Sequence, residues 1–373
     1  MITSRIALIG LVAGASLSLC WAAADGQQEV QDQRGVPQPK DSVPRAAVVG
    51  ETLQSINDDY NRLLLQIEKQ RLERLGQLAA RQTPKDAAET YETLFRLAIA
   101  NNLFAEAEPA AQRILAIRSS LSPVLRFLAQ TIKIIAAADR GDYDGSLADL
   151  RKNIGPGTEL NRKAEASAGW LDTPSMLAIL GAYYQRLVQG DRFDVARKAF
   201  QLLRDETSNP ALKEFCAARL NQLNMVGKAA PPIQGTDVDG KPVNLSDTKG
   251  SVVLVVFWAS WCLPNAAEIT WLDQLYETYG NRGLRIVGIN LDTLQSGEPK
   301  LEMVMPNIRR FLMDHNVRWP NLVNGEGAHD YAKAYGVTEI PSNVLIGPDG
   351  TVIHVDLSRK NLGPVIARAL PKP

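Results

Sequence analysis

Twelve residues, FWASWCLPNAAE (257–268), carry the densest chemistry in the chain: Trp258, Trp261, Cys262, Pro264, Asn265 and Glu268. A cysteine at a strand-to-helix junction meets the unpaired N–H groups and the positive end of the helix dipole. Both favour the thiolate, the form that attacks a disulfide sulfur. Proline suits the first helical turn, because the N–H it lacks would be unpaired there. The two tryptophans place apolar surface beside the thiol, to exclude water or receive a substrate. Glu268 taken alone reads as a solvated helix carboxylate, and a carboxylate close to a thiol opposes the helix terminus.

The elements that must position these residues are visible on either side. VVLVVF (252–257) and LRIVGIN (284–290) are apolar runs of strand formers, as expected of strands covered on both faces. Between them Ile269, Leu272, Leu275, Tyr276 and Tyr279 recur on one face of a helix that ends near Gly280. The composition breaks at GKAAPP (227–232), and residues 228–373 read as an α/β domain.

Residues 51–227 have a helical period instead. Leu53, Ile56, Tyr60, Leu63, Ile67, Leu75 and Leu78 predict one long amphipathic helix. Thr83-Pro84, and again Thr173-Pro174, predict a hydroxyl N-cap followed by proline at the first helical position. Three stretches look alike: NNLFAEAEPAA (101–111), GDYDGSLADL (141–150) and GDRFDVARKAF (190–200). Each has a turn, then an aromatic, then Ala107, Ser146 or Ala196, small enough for two helices to meet as a hairpin. GDYDGSL resembles the tetratricopeptide-repeat turn. The spacings of 39 and 50 residues between Phe104, Tyr143 and Phe193 depart from that repeat. A stack of such hairpins offers a groove for a protein partner, and a generic helical domain is the competing reading.

Export is expected from the first 24 residues. Arg5 precedes the uncharged run 6–24, which ends in Ala22-Ala23-Ala24 and a polar stretch, the pattern of a cleaved signal peptide. The run is also long enough to stay as a membrane anchor, and Cys20 is a lipidation candidate despite the bulky Leu19 before it. Residues 25–50 read as a flexible linker. Lys+Arg and Asp+Glu are 41 each, so no basic surplus points to nucleic acid. His315, His329 and His354 share no metal-ligand spacing and read as surface or loop residues; no metal and no cofactor is expected. After leader cleavage only Cys216 and Cys262 remain. Cys216 reads as a small apolar residue of the helix ALKEFCAARL.

Residues 228–373 resemble the exported thioredoxin-fold proteins of the TlpA/ResA group. The resemblance rests on APPIQGTDVDGKPVNLSDTKG (230–250), whose Asp-Gly turn predicts a hairpin, on FWASWC, on GLRIVGINLD (283–292) and on YGVTEIPSNVLIGPDGTVI (335–353). It implies a thioredoxin-like α/β domain after an all-α domain. Ile340-Pro341 would be the cis-proline bond beside the active-site cysteine, with the Ile340 backbone pairing with an extended substrate. Glu268 would manage the active-site protons. Thr270 replaces the family's usual proline.

The larger departure is Asn265, which stands where the family has its second cysteine. That cysteine normally attacks the mixed disulfide formed by the first and releases the substrate. With asparagine there, Cys262 would act as a single nucleophile on protein or small-molecule disulfides and be cleared by an outside thiol. Trp261, Ile340 and Asn265 would line the substrate site, and Cys262, Glu268 and Pro341 would do the chemistry. Other readings stay open: Cys216 as the resolving thiol, peroxide or other sulfur chemistry, or a redox-inactive protein-binding module of the cell envelope.

Overall fold

The computed structural model describes residues 53–117, 122–154, 172–295 and 299–371. The signal peptide, the linker 25–50 and Cys20 lie outside the described residues. Contact density divides the chain into two compact units between Ile132 and Lys133.

The first unit holds α1 (Leu53–Ala79), α2 (Pro84–Ala100), α3 (Phe104–Ala116) and the first turns of α4 (Pro123–Asp139). Thr83 caps α2 as expected: its hydroxyl accepts the Asp86 N–H, with Pro84 next in line. The buried residues of α1 are Leu72 and Ala79, neither of which belongs to the predicted stripe. Ile56, Tyr60, Leu63 and Ile67 are all exposed, so the period predicts the helix correctly and its packing face incorrectly. Periodicity reports which residues share a face, not whether another element covers it.

The second unit continues through α5 (Tyr143–Ile154), α6 (Thr173–Gln189), α7 (Phe193–Glu206) and α8 (Pro210–Met225). The three look-alike stretches are helix–turn–helix corners. Asn102, Gly141 and Asp191 each take a left-handed backbone, at φ 59°, 80° and 58°, and the next helix begins at the aromatic or the residue expected of it, Phe104, Tyr143 or Phe193. Ala107, Ser146 and Ala196 are each at most 1 % exposed, as close helix approach requires. Ser146 additionally donates to the Ile134 carbonyl at 2.7 Å. At α6 the expected cap moves by one residue. Asp172, not Thr173, accepts the Ser175 N–H, because a carboxylate at the N-cap satisfies the same donor and also faces the positive helix end.

After α8 the chain enters the β1–β2 hairpin (Gln234–Thr236, Pro242–Asn244). Asp237 accepts the N–H groups of Asp239 and Lys241, and Gly240 supplies the left-handed turn at φ 82°. The remaining elements are β3 (Val252–Trp258), α9 (Leu263–Tyr279), β4 (Leu284–Asn290), α10 (Leu301–Asp314), β5 (Asn321–Val323), α11 (Tyr331–Ala334), β6 (Ser342–Ile346), β7 (Val352–Val355) and α12 (Arg359–Ala369). The five-stranded sheet has the order β5-β4-β3-β6-β7, with β3 parallel to β4 and antiparallel to β6. Every residue of β3 is buried. Val252, Leu254, Val256 and Trp258 pack on one side with Ile269, Leu272 and Leu275 of α9; Val253, Val255 and Phe257 pack on the other. Each such side chain contributes roughly 1.5–3 kcal/mol of burial. This is a thioredoxin-like α/β domain preceded by helices.

His354 departs from expectation. It lies in β7, 3 % exposed, with Nδ1 at 2.9 Å from the Val355 carbonyl and Nε2 at 2.9 Å from the Asp191 carboxylate. Strand alternation and the α6–α7 corner bury it, and burial pushes its pKa down.

Trp258 ends β3 immediately before the cysteine loop, and its indole N–H donates to Asn321 Oδ1 at 3.0 Å. That pair lies across Gly288 of β4, where a Cβ would collide with the Asn321 amide. Gly288→Ala is therefore expected to destabilise the fold by about 1–3 kcal/mol, measured by urea unfolding.

Candidate functional site

Pairing in the sheet decides which residues meet. Phe257 of β3 is opposite Ser342 of β6, so Pro341 stands at the end of the sheet where β3 delivers Trp258 and the following loop. Trp258 pairs with Asn290 in the parallel β4, which brings Asp292 to the same end. The expected residues Cys262, Trp261, Ile340 and Pro341 thus come from two chain segments that the sheet brings to one end. Glu268 lies farther along α9.

Cys262 is the N-cap of α9, with an extended backbone (φ −87°, ψ 101°), and Pro264 follows in the first turn. The N–H of Cys262 donates to the Ala259 carbonyl at 3.3 Å. The residue is 3 % exposed, so access as well as ionisation governs its reactions. Asn265 occupies the first turn of α9, and its side chain, like those of 263–267 generally, lies outside the described residues. Trp261 is half-buried, and its indole N–H has no hydrogen-bond partner among the described residues. Ile340 is half-buried against the core, Pro341 is exposed, and the bond between them is cis. Glu268 is half-buried; desolvation pushes its carboxyl above the usual carboxylate range, with the Arg359 guanidinium opposing.

The loop before the cysteine has a support that motif reading missed. Asp292, 2 % exposed, accepts from the Ser260 N–H at 2.7 Å, the Ser260 hydroxyl at 2.5 Å and Asn290 Nδ2 at 3.0 Å. A buried carboxylate with three donors holds its loop firmly, because losing it leaves each donor unpaired. Its signal was the last residue of GLRIVGINLD, which carries no marker of its own without the sheet pairing.

Cys216 sits at 0 % exposure on α8, in a helical core with Leu212, Phe215 and Leu220. Burial pushes its thiol up to about 12, against the Arg204 and Arg219 charges. Full burial and a raised thiol pKa suit a core residue and disfavour the thiolate that a resolving step needs.

The AhpC/TSA family profile matches residues 226–355. The thiol-disulfide oxidoreductase ResA of Bacillus thuringiensis subsp. konkukian is 30 % identical over 129 residues, 35 % of this chain and 68 % of that protein. ResA of Bacillus subtilis (strain 168) is also 30 % identical over 129 residues, covering 35 % and 65 %. A thiol:disulfide interchange protein of the thioredoxin family from Chlorobium tepidum TLS has 26 % identity, covering 38 % of this chain and 96 % of that one, at a TM-score of 0.33. Through its C-terminal half, then, the molecule is a thioredoxin-fold protein of the thiol-disulfide exchange class. The chain belongs to the ResA family of thiol-disulfide oxidoreductases.

Replacing Asp292 by alanine is expected to cost about 2–4 kcal/mol of stability in chemical denaturation, and by asparagine roughly half that.

Proposed function

We propose that the protein is an exported thiol-disulfide exchange protein that works through Cys262 alone. The observation that carries this reading is Cys262 at the N-cap of α9, at the end of the sheet that also presents Ile340-Pro341. The Cys262 thiolate attacks one sulfur of a substrate disulfide. A Cys262–substrate S–S bond forms, the original S–S bond breaks, and the other substrate sulfur leaves as a thiolate. With Asn265 in place of a resolving cysteine, an outside thiol then attacks the mixed disulfide and returns Cys262 to the thiolate. Glu268 holds or releases a proton beside this cycle, and Trp261 and Ile340 line the substrate path. Substrates are protein or small-molecule disulfides, and the helical hairpins offer a groove for a further, TPR-like protein contact.

A second reading has one observation in its favour. Cys262 is buried while Pro341 is exposed, an arrangement that suits binding an extended segment without sulfur chemistry. In that reading the protein is a redox-inactive binding module of the cell envelope.

Two measurements separate them. Turnover of a model disulfide with added thiol is expected from the wild type and lost, more than about a hundredfold, in Cys262→Ser. Peptide-resolved alkylation at pH 7.5 is expected to modify Cys262 at least about tenfold faster than Cys216, whose thiol is pushed up to about 12. No turnover together with a Cys262 as inert as Cys216 would establish the binding module instead.

Glu268 gives a separate pH test. Its folded-state pKa is raised, so the stability it contributes is fully present below the ordinary carboxylate range and is lost as pH rises through the folded value. Glu268→Gln is therefore expected to raise the melting temperature at pH 7 by about 2–4 °C and to leave it unchanged near pH 4. The same variant is expected to remove an ionisation from the pH profile of Cys262 alkylation.

A further inference from the structure

Between α11 and β6, residues 337–341 form neither helix nor strand, yet they carry the Ile340-Pro341 pair to which the exchange reading above assigns substrate pairing. Part of what holds this segment comes from outside the sheet. Arg219 of α8, 5 % exposed, sends Nη2 to Glu339 Oε2 at 2.5 Å and Nη1 to Asp356 Oδ2 at 3.1 Å. Its guanidinium stacks over the rings of Tyr184 and Phe215, at 4.6 and 4.9 Å from their centroids. Asp356, at the end of β7, also accepts the Tyr184 hydroxyl at 3.0 Å and the Ser342 hydroxyl at 2.6 Å. Gln222 joins the same cluster: its Oε1 accepts from Arg219 at 2.9 Å and its Nε2 donates to Ser342 Oγ at 3.3 Å.

The segment is thereby gripped at both ends by one buried cluster. Glu339 is held through Arg219, Ser342 through Asp356 and Gln222. Only Ile340 and Pro341 lie between the two grips, half-buried and exposed. Three of the gripping residues, Tyr184, Arg219 and Gln222, belong to the helices and not to the thioredoxin-like domain. Arg219 Nε and Glu339 Oε1 have no hydrogen-bond partner among the described residues, so the grip rests on Arg219 Nη1 and Nη2, and losing either bond leaves a further buried polar group unpaired.

We infer that Arg219 is a positioning residue for substrate capture: from the helical layer it fixes the Glu339–Ser342 segment so that an extended polypeptide can pair along it beside Cys262. The inference rests on the exchange reading above for its covalent readout, and on peptide affinity where that reading fails. It gives the helices a defined part in recognition, since Arg219 of α8 supplies the cation that pairs with Glu339 and Asp356. Small thiol reagents need no such pairing and should not sense Arg219.

The test uses the full chain and two reagents. One is an extended octapeptide with a central cysteine carried as its thionitrobenzoate mixed disulfide. Attack by Cys262 forms the Cys262–peptide S–S bond, breaks the peptide–thionitrobenzoate bond and releases the coloured thiolate. The other reagent is iodoacetamide. Arg219→Met and Glu339→Ala are each expected to slow the peptide reaction about tenfold and to change the iodoacetamide rate less than about twofold. The double variant is expected to be no slower than the slower single one, because both changes sever the same tie. Glu339→Gln, which keeps an acceptor for Arg219, is expected to stay within about threefold of wild type.

Arg219→Met leaves two buried carboxylates without their cation and is the variant most at risk of not folding. If it fails to fold, the pair Glu339→Ala and Glu339→Gln decides alone, since both keep Arg219 paired with Asp356. Unchanged peptide rates, additive losses in the double variant, or a parallel fall with iodoacetamide would overturn the inference. Should wild-type Cys262 release no thionitrobenzoate, the exchange reading has failed. The clamp is then judged by anisotropy with the fluorescent, disulfide-free peptide: about tenfold weaker binding by Glu339→Ala supports it. Equal affinity, or no binding by either form, overturns it.

Discussion

The central strand β3 is the constraint from which the site follows. It is buried along its whole length and paired on both edges, parallel to β4 and antiparallel to β6. A parallel partner leaves the sheet at the same end as β3; an antiparallel partner enters there. That difference in direction brings Asp292, just after β4, and Pro341, just before β6, to the end of the sheet where the cysteine loop emerges. A strand covered on both faces has little freedom to slip, because a one-residue shift would exchange every side chain between its two cores. The placement of Cys262 relative to Pro341 is thus as firm as the packing of Val253, Val255 and Phe257 on one face and Leu254, Val256 and Trp258 on the other.

Polar burial adds precision that apolar packing cannot. Two carboxylates, Asp292 and Asp356, are each more than nine-tenths buried, and each organises a segment next to the site. Asp292 collects donors from Ser260 and Asn290 and sets the approach to Cys262. Asp356 collects Ser342, Tyr184 and Arg219 and sets the approach to Pro341. Hydrophobic contact tolerates small displacements, whereas a hydrogen bond weakens steeply with distance and angle. Such groups cost desolvation, so they specify geometry more than they add stability. Gln189 of α6 makes a comparable tie at the start of α12, accepting from Ser358 and Asn361 and donating to the Asp356 carbonyl. Helices and sheet in this unit therefore share polar bonds as well as an apolar surface.

Much of the architecture was legible residue by residue. The helical corners announced themselves through Asn102, Gly141 and the Gly190-Asp191 pair, since a left-handed turn favours Gly, Asn and Asp. The caps were readable to within one residue: Thr83 holds its expected place, and Asp172 takes the one expected of Thr173. The stripe of α1 was readable as a helix but not as a packing face, because coverage is a property of neighbours. His354 was misplaced for a related reason: a lone histidine in a strand gives no sign of which layer will lie over it.

Local order is what the sequence determined by itself: the strand runs, the helix period, the corners, and a cysteine followed by Leu-Pro at a strand-to-helix junction. These are decided by interactions within a few residues, and they mark the thioredoxin-like part of the chain. Only the tertiary structure decided that Arg219 would reach Glu339 across 120 positions and Asp356 across 137, or that Asp292 would sit beneath Ser260. Arginine and aspartate are ordinary surface residues in any local window. Their burial here follows from the helices closing over one edge of the sheet, and that closure depends on contacts between residues far apart in the chain.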